Sequence, residues 1–195
     1  MTEALLWMRS NVAAIGPIRP DLMETYWRWE QEIPTIVGYN RQTPQTFETT
    51  RDILYESYSR SSSHRIHFTI YSIDGQVEIP VGIAVLHIDS MRRTAEYVIS
   101  LGARESRGRG VGSEASRLVL DYAFHVTNLR CVHLTVIESN AIAIRAYEKA
   151  GFKRQGLRRN SAQWLGETVN EVHMDAIPED FAGPSLVRKQ FEAVR

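Results

Sequence analysis

Residues Ala95 to Gly112 read AEYVISLGARESRGRGVG, and this stretch decides the fold. Glu96 to Leu101 is short, rich in Tyr, Val and Ile, and followed by the turn formers Gly102 and Ala103, which predicts a strand. Arg107-Gly108-Arg109-Gly110-Val111-Gly112 comes next. Glycines at alternate positions leave the main chain open to a ligand, so several N–H groups can converge on one concavity suited to an anion. Val111, Ala115, Leu118, Val119, Tyr122, Ala123 and Val126 recur at helical spacing and predict a helix over 111–126. The loop thus opens a helix, where unpaired N–H groups and the macrodipole favour phosphate, and Arg107 and Arg109 add countercharge.

Dinucleotide-binding proteins use the same physics. Counted from Gly110 the looser GxGxxA form is met at Ala115, and Glu138 would fit as a ribose-binding acid. Context argues against that reading: a connection separates Leu101 from Gly108, and no tandem βαβ unit precedes the loop.

A second stretch, Asn140 to Phe152, reads NAIAIRAYEKAGF and follows a strand predicted over Cys131 to Glu138. Asn140 is a capping residue and Gly151 stands where a left-handed C-cap belongs, which bounds a short helix. Asn140, Ala143 and Tyr147 share one stripe of it, with a small residue between two hydrogen-bonding groups. A packed tyrosine is the plainer account of Tyr147.

In this order the two stretches resemble the signatures of the GNAT superfamily of acetyl-CoA-dependent N-acyltransferases. Arg107-x-x-Gly110-x-Gly112 is similar to its pyrophosphate loop, and Asn140-x-x-Ala143-x-x-x-Tyr147-x-x-x-Gly151-Phe152 to its second signature. The variant resembles the branch holding ribosomal-protein N-terminal and spermidine acetyltransferases, over roughly Ile18 to Phe181. The resemblance implies an α/β fold with a mixed, mostly antiparallel central sheet flanked by helices, and acetyl-CoA as cosubstrate. It implies that main-chain groups at Ile99, Ser100 and Leu101 hold the thioester carbonyl, that residues 107–112 (Arg107, Gly108, Arg109, Gly110, Val111, Gly112) cradle the pyrophosphate, and that Asn140, Ala143 and Tyr147 line the pantetheine arm.

Acetyl transfer to an amine needs a deprotonated nitrogen, a stabilised oxyanion and a proton for the departing thiolate. Glu96 is placed to take the amine's proton or merely to orient substrate; the resemblance supports a base there in some members. Tyr147 either protonates the sulfur or packs. His133 is a further possible base or a structural histidine. Trp27, Glu30, Glu32, Tyr39 and Trp164 are the candidate acceptor-binding residues, Trp27 being equally readable as a surface aromatic. The sequence departs from its branch at Asn170, where an Asp is common, with Glu171 beside it, and at Trp29-Glu30-Gln31-Glu32, where an Asn-Asp pair commonly follows the Trp.

Composition sets the bounds. The 195 residues fit one domain, with a core expected over 12–177 and a C-terminal extension over 178–195. Lys and Arg number 23, as do Asp and Glu, so the basic excess that duplex nucleic acid requires is lacking. A single cysteine, Cys131, excludes an internal disulfide and reads as a core thiol rather than a reactive one. No stretch approaches the ~20 apolar residues of a membrane span, so the expectation is a cytoplasmic protein, monomeric or homodimeric, without a metal.

Elsewhere the patterns predict a first strand over Val12 to Ile18, helices from Pro20 to Gln31 and Gln45 to Tyr58, an antiparallel pair over Ile66 to Ile73 and Pro80 to Ile88, and two more strands, Phe152 to Arg159 and Thr168 to Met174. Met1 to Asn11 is left unassigned, as a strand or an ordered arm. The leading expectation is an N-acetyltransferase for a primary amine on a small molecule such as a polyamine, an aminosugar or an antibiotic-like compound, favoured by Glu30, Glu32 and Glu96. Acetylation of a protein N-terminus, or acyl-CoA binding without turnover, are the alternatives. A small-amine enzyme should close its pocket over Trp27, Tyr39 and Trp164.

Overall fold

The structure is a computed structural model that describes residues 4–38, 45–59, 64–103 and 108–195. In chain order it runs β1 (Met8–Arg9), β2 (Ala13–Gly16), α1 (Met23–Glu30), α2 (Ile33–Gly38), α3 (Phe47–Ser59), β3 (Arg65–Asp74), β4 (Val77–Asp89), β5 (Thr94–Leu101), α4 (Val111–His125), β6 (Cys131–Ile137), α5 (Ala141–Ala150), β7 (Lys153–Trp164), β8 (Glu167–Ala176) and α6 (Leu186–Glu192). The strands form one sheet in the order β1-β2-β3-β4-β5-β6-β8-β7. Among the described residues only β5 and β6 pair parallel, and α4 makes the crossover between them. The mixed, mostly antiparallel sheet flanked by helices is the architecture expected from the sequence.

Strand alternation divides the sheet into two faces. Val132, Leu134 and Val136 of β6 are buried with Val172, Met174 and Ala176 of β8, on the face that carries α4 and α5. Gly151 is left-handed at the end of α5 (φ 114°), as predicted, and Gly110 is left-handed at the start of α4 (φ 80°). On the opposite face α1 and α3 build a second cluster from Ile18, Met23, Tyr26 and Leu54, with Leu22, Trp29, Phe47 and Ile83 packed against it. These helices cover the β2–β4 side of the sheet. On that face of β5, β6 and β8, Glu96, Val98, His133, Thr135 and Asp175 are exposed or partly so, while Ser100 is buried.

Three features add to the sequence reading. The unassigned arm forms β1 against β2, and Met8 is buried in the main cluster, so packing begins upstream of residue 12. The first predicted helix opens as a 3-10 turn at Pro20–Leu22, and a separate short helix, α2, follows it. The C-terminal extension docks: fully buried Asp121 of α4 accepts hydrogen bonds from Ser185 Oγ (2.6 Å) and the Leu186 amide (2.6 Å) at the start of α6.

His67 on β3 is largely buried, its Nδ1 has no hydrogen-bond partner among the described residues, and burial, reinforced by His87 and Arg65, lowers its pKa from 6.5 to about 4. The folded state thus binds fewer protons than the unfolded chain between these values, so stability is full above about pH 6.5 and is lost as pH falls toward 4. Denaturant unfolding of the parent and His67→Gln across that window should show a flatter pH dependence in the variant.

Candidate functional site

The site begins with a fork in the sheet. β5 and β6 are in register only at Thr94↔Cys131, Ala95↔Val132 and Glu96↔His133. Past Glu96, β5 stays with β4 as far as Leu101↔Gly82, while β6 stays with β8 as far as Ile137↔Glu171. Among the described residues, no strand pairs with the β6-facing edge of β5 at Val98, Ile99 and Ser100. The fork opens a cleft of about 500 Å3.

The cleft's two sides follow from the period-two geometry of β5. Tyr97, Ile99 and Leu101 point toward α4 and α5, and the cleft there is lined by Gly112, Ser116, Asn140, Ala143 and Tyr147. Tyr97 stacks on Phe152 (centroids 5.8 Å, 17°), and Tyr147 meets both rings edge-on at 6.4 and 5.8 Å. Ser116 Oγ lies 3.0 Å from the Tyr97 hydroxyl and donates to the Gly112 carbonyl at 2.8 Å. Burial pushes the Tyr147 phenol up to about 12, so it is protonated throughout the neutral range and can donate. Its hydroxyl has no hydrogen-bond partner among the described residues.

This side fits a phosphorylated, chain-like cosubstrate. The N-cap of the 15-residue helix α4 is Gly110, which has no side chain to cap its first N–H groups, and among the described residues a Cβ at Gly108 would meet nothing within 4 Å. Gly108 and Gly110 take left-handed backbone (φ 75° and 80°), and Gly108, Arg109 and Gly110 are exposed while the Val111 side chain is buried in the core. Val111 can therefore serve a ligand through its main chain alone. Asn140 Oδ1 caps α5 by accepting from the Ala143 amide (3.2 Å), which leaves its NH2 group for the cleft.

Glu96, Val98 and Ser100 point to the other face, where the cleft is lined by Pro34, Thr35 and Gly38 of α2, Thr135 and Ile137 of β6, Ala162 and Trp164 of β7, and Glu171. Trp164 Nε1 donates to the Val37 carbonyl at 2.8 Å and clasps α2 to β7 across the mouth. Glu96 is exposed and stands between His87 on β4 and His133 on β6, each in register with it. Burial lowers the pKa of His87 and Arg65 reinforces the shift, while Glu96 opposes it. His133 is exposed and does not line the cleft.

Of the sequence candidates, Glu96, Ile99, Ser100, Leu101, Gly112, Asn140, Ala143, Tyr147 and Trp164 therefore converge on one cleft. Arg107 and Tyr39 lie outside the described residues. Trp27, Glu30 and Glu32 are not among the described residues that line it. The Trp27 indole is turned to α3, donating Nε1–H to the Gln45 carbonyl (3.0 Å) and packing edge-on to Phe47 (5.9 Å). The tryptophan of α1 nearest the site is Trp29, which lies so close to Gly102 that a Cβ there would fall 2.0 Å from its Cγ. Thr35, Ser116, Thr135 and Glu171 were missed. Alternation along β8, with Val172 and Met174 buried, was the available signal that Glu171 faces outward from the core.

The sequence and fold have known counterparts. The spermidine N(1)-acetyltransferase of Escherichia coli (strain K12) is 35% identical over 92 residues, 47% of this chain and 49% of that protein. An aminoglycoside N(6')-acetyltransferase type 1 of Klebsiella pneumoniae is 27% identical over 138 residues, 71% of this chain and 59% of that one. The chain thus spans about half the length of the first of these curated relatives. Among solved structures, the spermidine N-acetyltransferase of Vibrio cholerae in complex with CoA and spermine superimposes with a TM-score of 0.77, at 18% identity over 88% of this chain and 99% of that one. The model of the acetyltransferase (GNAT) family matches residues 20–152, which include the crossover from β5 to β6 and both lined sides of the fork up to α5, so the chain belongs to that family.

Proposed function

We propose that the protein transfers the acetyl group of acetyl-CoA to a primary amine of a small cationic molecule of the polyamine type. The observation that carries this reading is the placement of Glu96 and Tyr147 on opposite sides of one cleft, with the stretch of β5 at Val98, Ile99 and Ser100, where no pairing with β6 is found among the described residues, between them. Similarity to the spermidine acetyltransferases supports the polyamine class, and the Trp164–Val37 clasp over the acceptor side suits a small molecule better than a protein chain end.

Bound acetyl-CoA would supply an activated thioester carbonyl. The N-terminus of α4 holds its phosphates by main-chain N–H donation. Amides on the β5 edge donate to the carbonyl oxygen as negative charge develops on it. Glu96 takes the proton of the acceptor ammonium, directly or through water, and Tyr147 gives its phenolic proton to the sulfur as the thiolate leaves. Release of free thiol from acetyl-CoA across a panel of amines tests the reading as a whole.

Three variants test its parts. Gly110→Asp places a carboxylate and a strained left-handed residue at the phosphate cradle, so acetyl-CoA binding measured calorimetrically should be lost; Gly110→Asn, uncharged and tolerant of that backbone, should retain most of it. Undiminished binding by a folded Gly110→Asp would remove the loop from the phosphate site.

Tyr147→Phe should lower kcat by roughly 10- to 10⁴-fold with little change in CoA affinity. With its phenol near 12, the parent should show no loss of rate from Tyr147 ionisation between pH 6 and 9. An unchanged kcat with chemistry rate-limiting assigns Tyr147 to packing.

Glu96→Gln should reduce the rate at neutral pH while leaving acetyl-CoA binding intact, and the deficit should shrink as pH approaches the amine's pKa, about 10.4 for a lysine-like amine, where neutral acceptor needs no base. A deficit confined to KM and equal at every pH identifies Glu96 as an orienting carboxylate instead.

A further inference from the structure

Among the described residues lining the cleft, the only charged side chains are two carboxylates, Glu96 and Glu171; none is a lysine or arginine. Glu171 alternates with core residues Val172 and Met174, so it stands on the acceptor face with Glu96. Its side chain is only 23% exposed, and its cationic neighbour, Arg158 on β7, lies 3.9 Å away at the outer limit of an ion pair and is itself 63% exposed. Neighbouring Asn170 is engaged elsewhere: its Nδ2 donates to Glu138 (2.8 Å) and its Oδ1 accepts the Asn160 amide (2.9 Å). A largely buried carboxylate with so weak a counter-ion favours a further cation.

A second observation points the same way. Thr35 of α2 is 6% exposed, lines the same cleft, and its Oγ1 is buried with no hydrogen-bond partner among the described residues. An orphaned buried hydroxyl carries a desolvation cost that a donor from a ligand would relieve. Glu96 is in register with His133 and Glu171 with Ile137, so the two acids are offset by four residues along β6, roughly 13 Å at about 3.3 Å per residue. A single ammonium cannot serve both.

We propose that Glu171 and the Thr35 hydroxyl form a second cation subsite, so that the preferred acceptor is a flexible chain with two amines, one reacting beside Glu96 while the other is held as an ammonium at Glu171. This rests on the acetyl-transfer reading for the site, and binding and transfer are measured separately so that each can fail alone. Calorimetry with CoA present compares α,ω-diaminoalkanes from butane to decane with the matching n-alkylamines, on the parent, Glu171→Gln, Glu171→Asp and Thr35→Val, each checked for parental melting behaviour. Rates with acetyl-CoA are then taken for the same pairs.

The parent should bind a diamine more tightly than the monoamine of equal length. Glu171→Gln should weaken the diamine by about 10- to 100-fold, the scale of a charge-assisted hydrogen bond, and the monoamine by far less. Thr35→Val, nearly isosteric, should cost the diamine about 3- to 10-fold, and Glu171→Asp, which keeps the charge, should preserve the preference. A parent indifferent to the second amine, or a Glu171→Gln loss equal for both amine types, overturns the subsite. If Glu171→Gln selectively weakens diamine binding but no amine releases thiol from acetyl-CoA, the subsite stands and the transfer reading falls.

Discussion

The parting of β5 from β6 is the constraint on which the rest of the molecule depends. Two strands that begin in parallel register separate after Glu96 because each is held by a different antiparallel partner, β4 on one side and β8 on the other. Main-chain groups that would ordinarily satisfy a neighbouring strand then face a cavity, where unpaired polar groups are costly unless a ligand or water meets them. A gap through the sheet also joins its two faces. A cosubstrate on the α4/α5 side and an acceptor on the α2 side can thus meet edge to edge, and proximity of that kind accounts for a large part of catalysis in a bimolecular transfer.

The two sides are prepared differently. Toward α5 the rings of Tyr97, Tyr147 and Phe152 make an apolar wall, and the same desolvation that raises the Tyr147 phenol keeps its proton available. Toward α2 the wall is partly exposed and carries acid without base among the described lining residues. His87 and His133 flank Glu96 in the ladder.

Packing away from the cleft holds the fork in shape. Trp29 against Gly102 seats α1 on the end of β5 just before the glycine-rich connection, and a side chain at Gly102 would displace it. Trp164 ties α2 to β7. On the opposite face the buried Asp121 carboxylate gathers Ser185 Oγ, the Leu186 amide and His125 Nδ1 (2.8 Å), fastening the C-terminal segment to α4. Donors left without Asp121 would each cost about 1–3 kcal/mol, so this contact is a stabilising one rather than ornamental.

Local chemistry determined a good deal by itself. The strand, glycine-rich loop and helix of Ala95 to Gly112, and the Asn140 cap and Gly151 stop around Tyr147, were legible because capping, left-handed glycine and residue period act over a few neighbours in the chain. Glu96 and Tyr147 could be singled out on those grounds. The acceptor side was legible only in part, at Glu96 and Trp164. Trp27, Glu30 and Glu32 are adjacent to the right helix, but which side of α1 meets the sheet is decided by α3 and by the close approach of Trp29 to Gly102. Thr35 and Glu171 line one cleft only because α2, β5 and β8, remote in sequence, border the same gap. That gap exists because β4 and β8 draw β5 and β6 apart, and such long-range pairing leaves no periodic mark on any single segment.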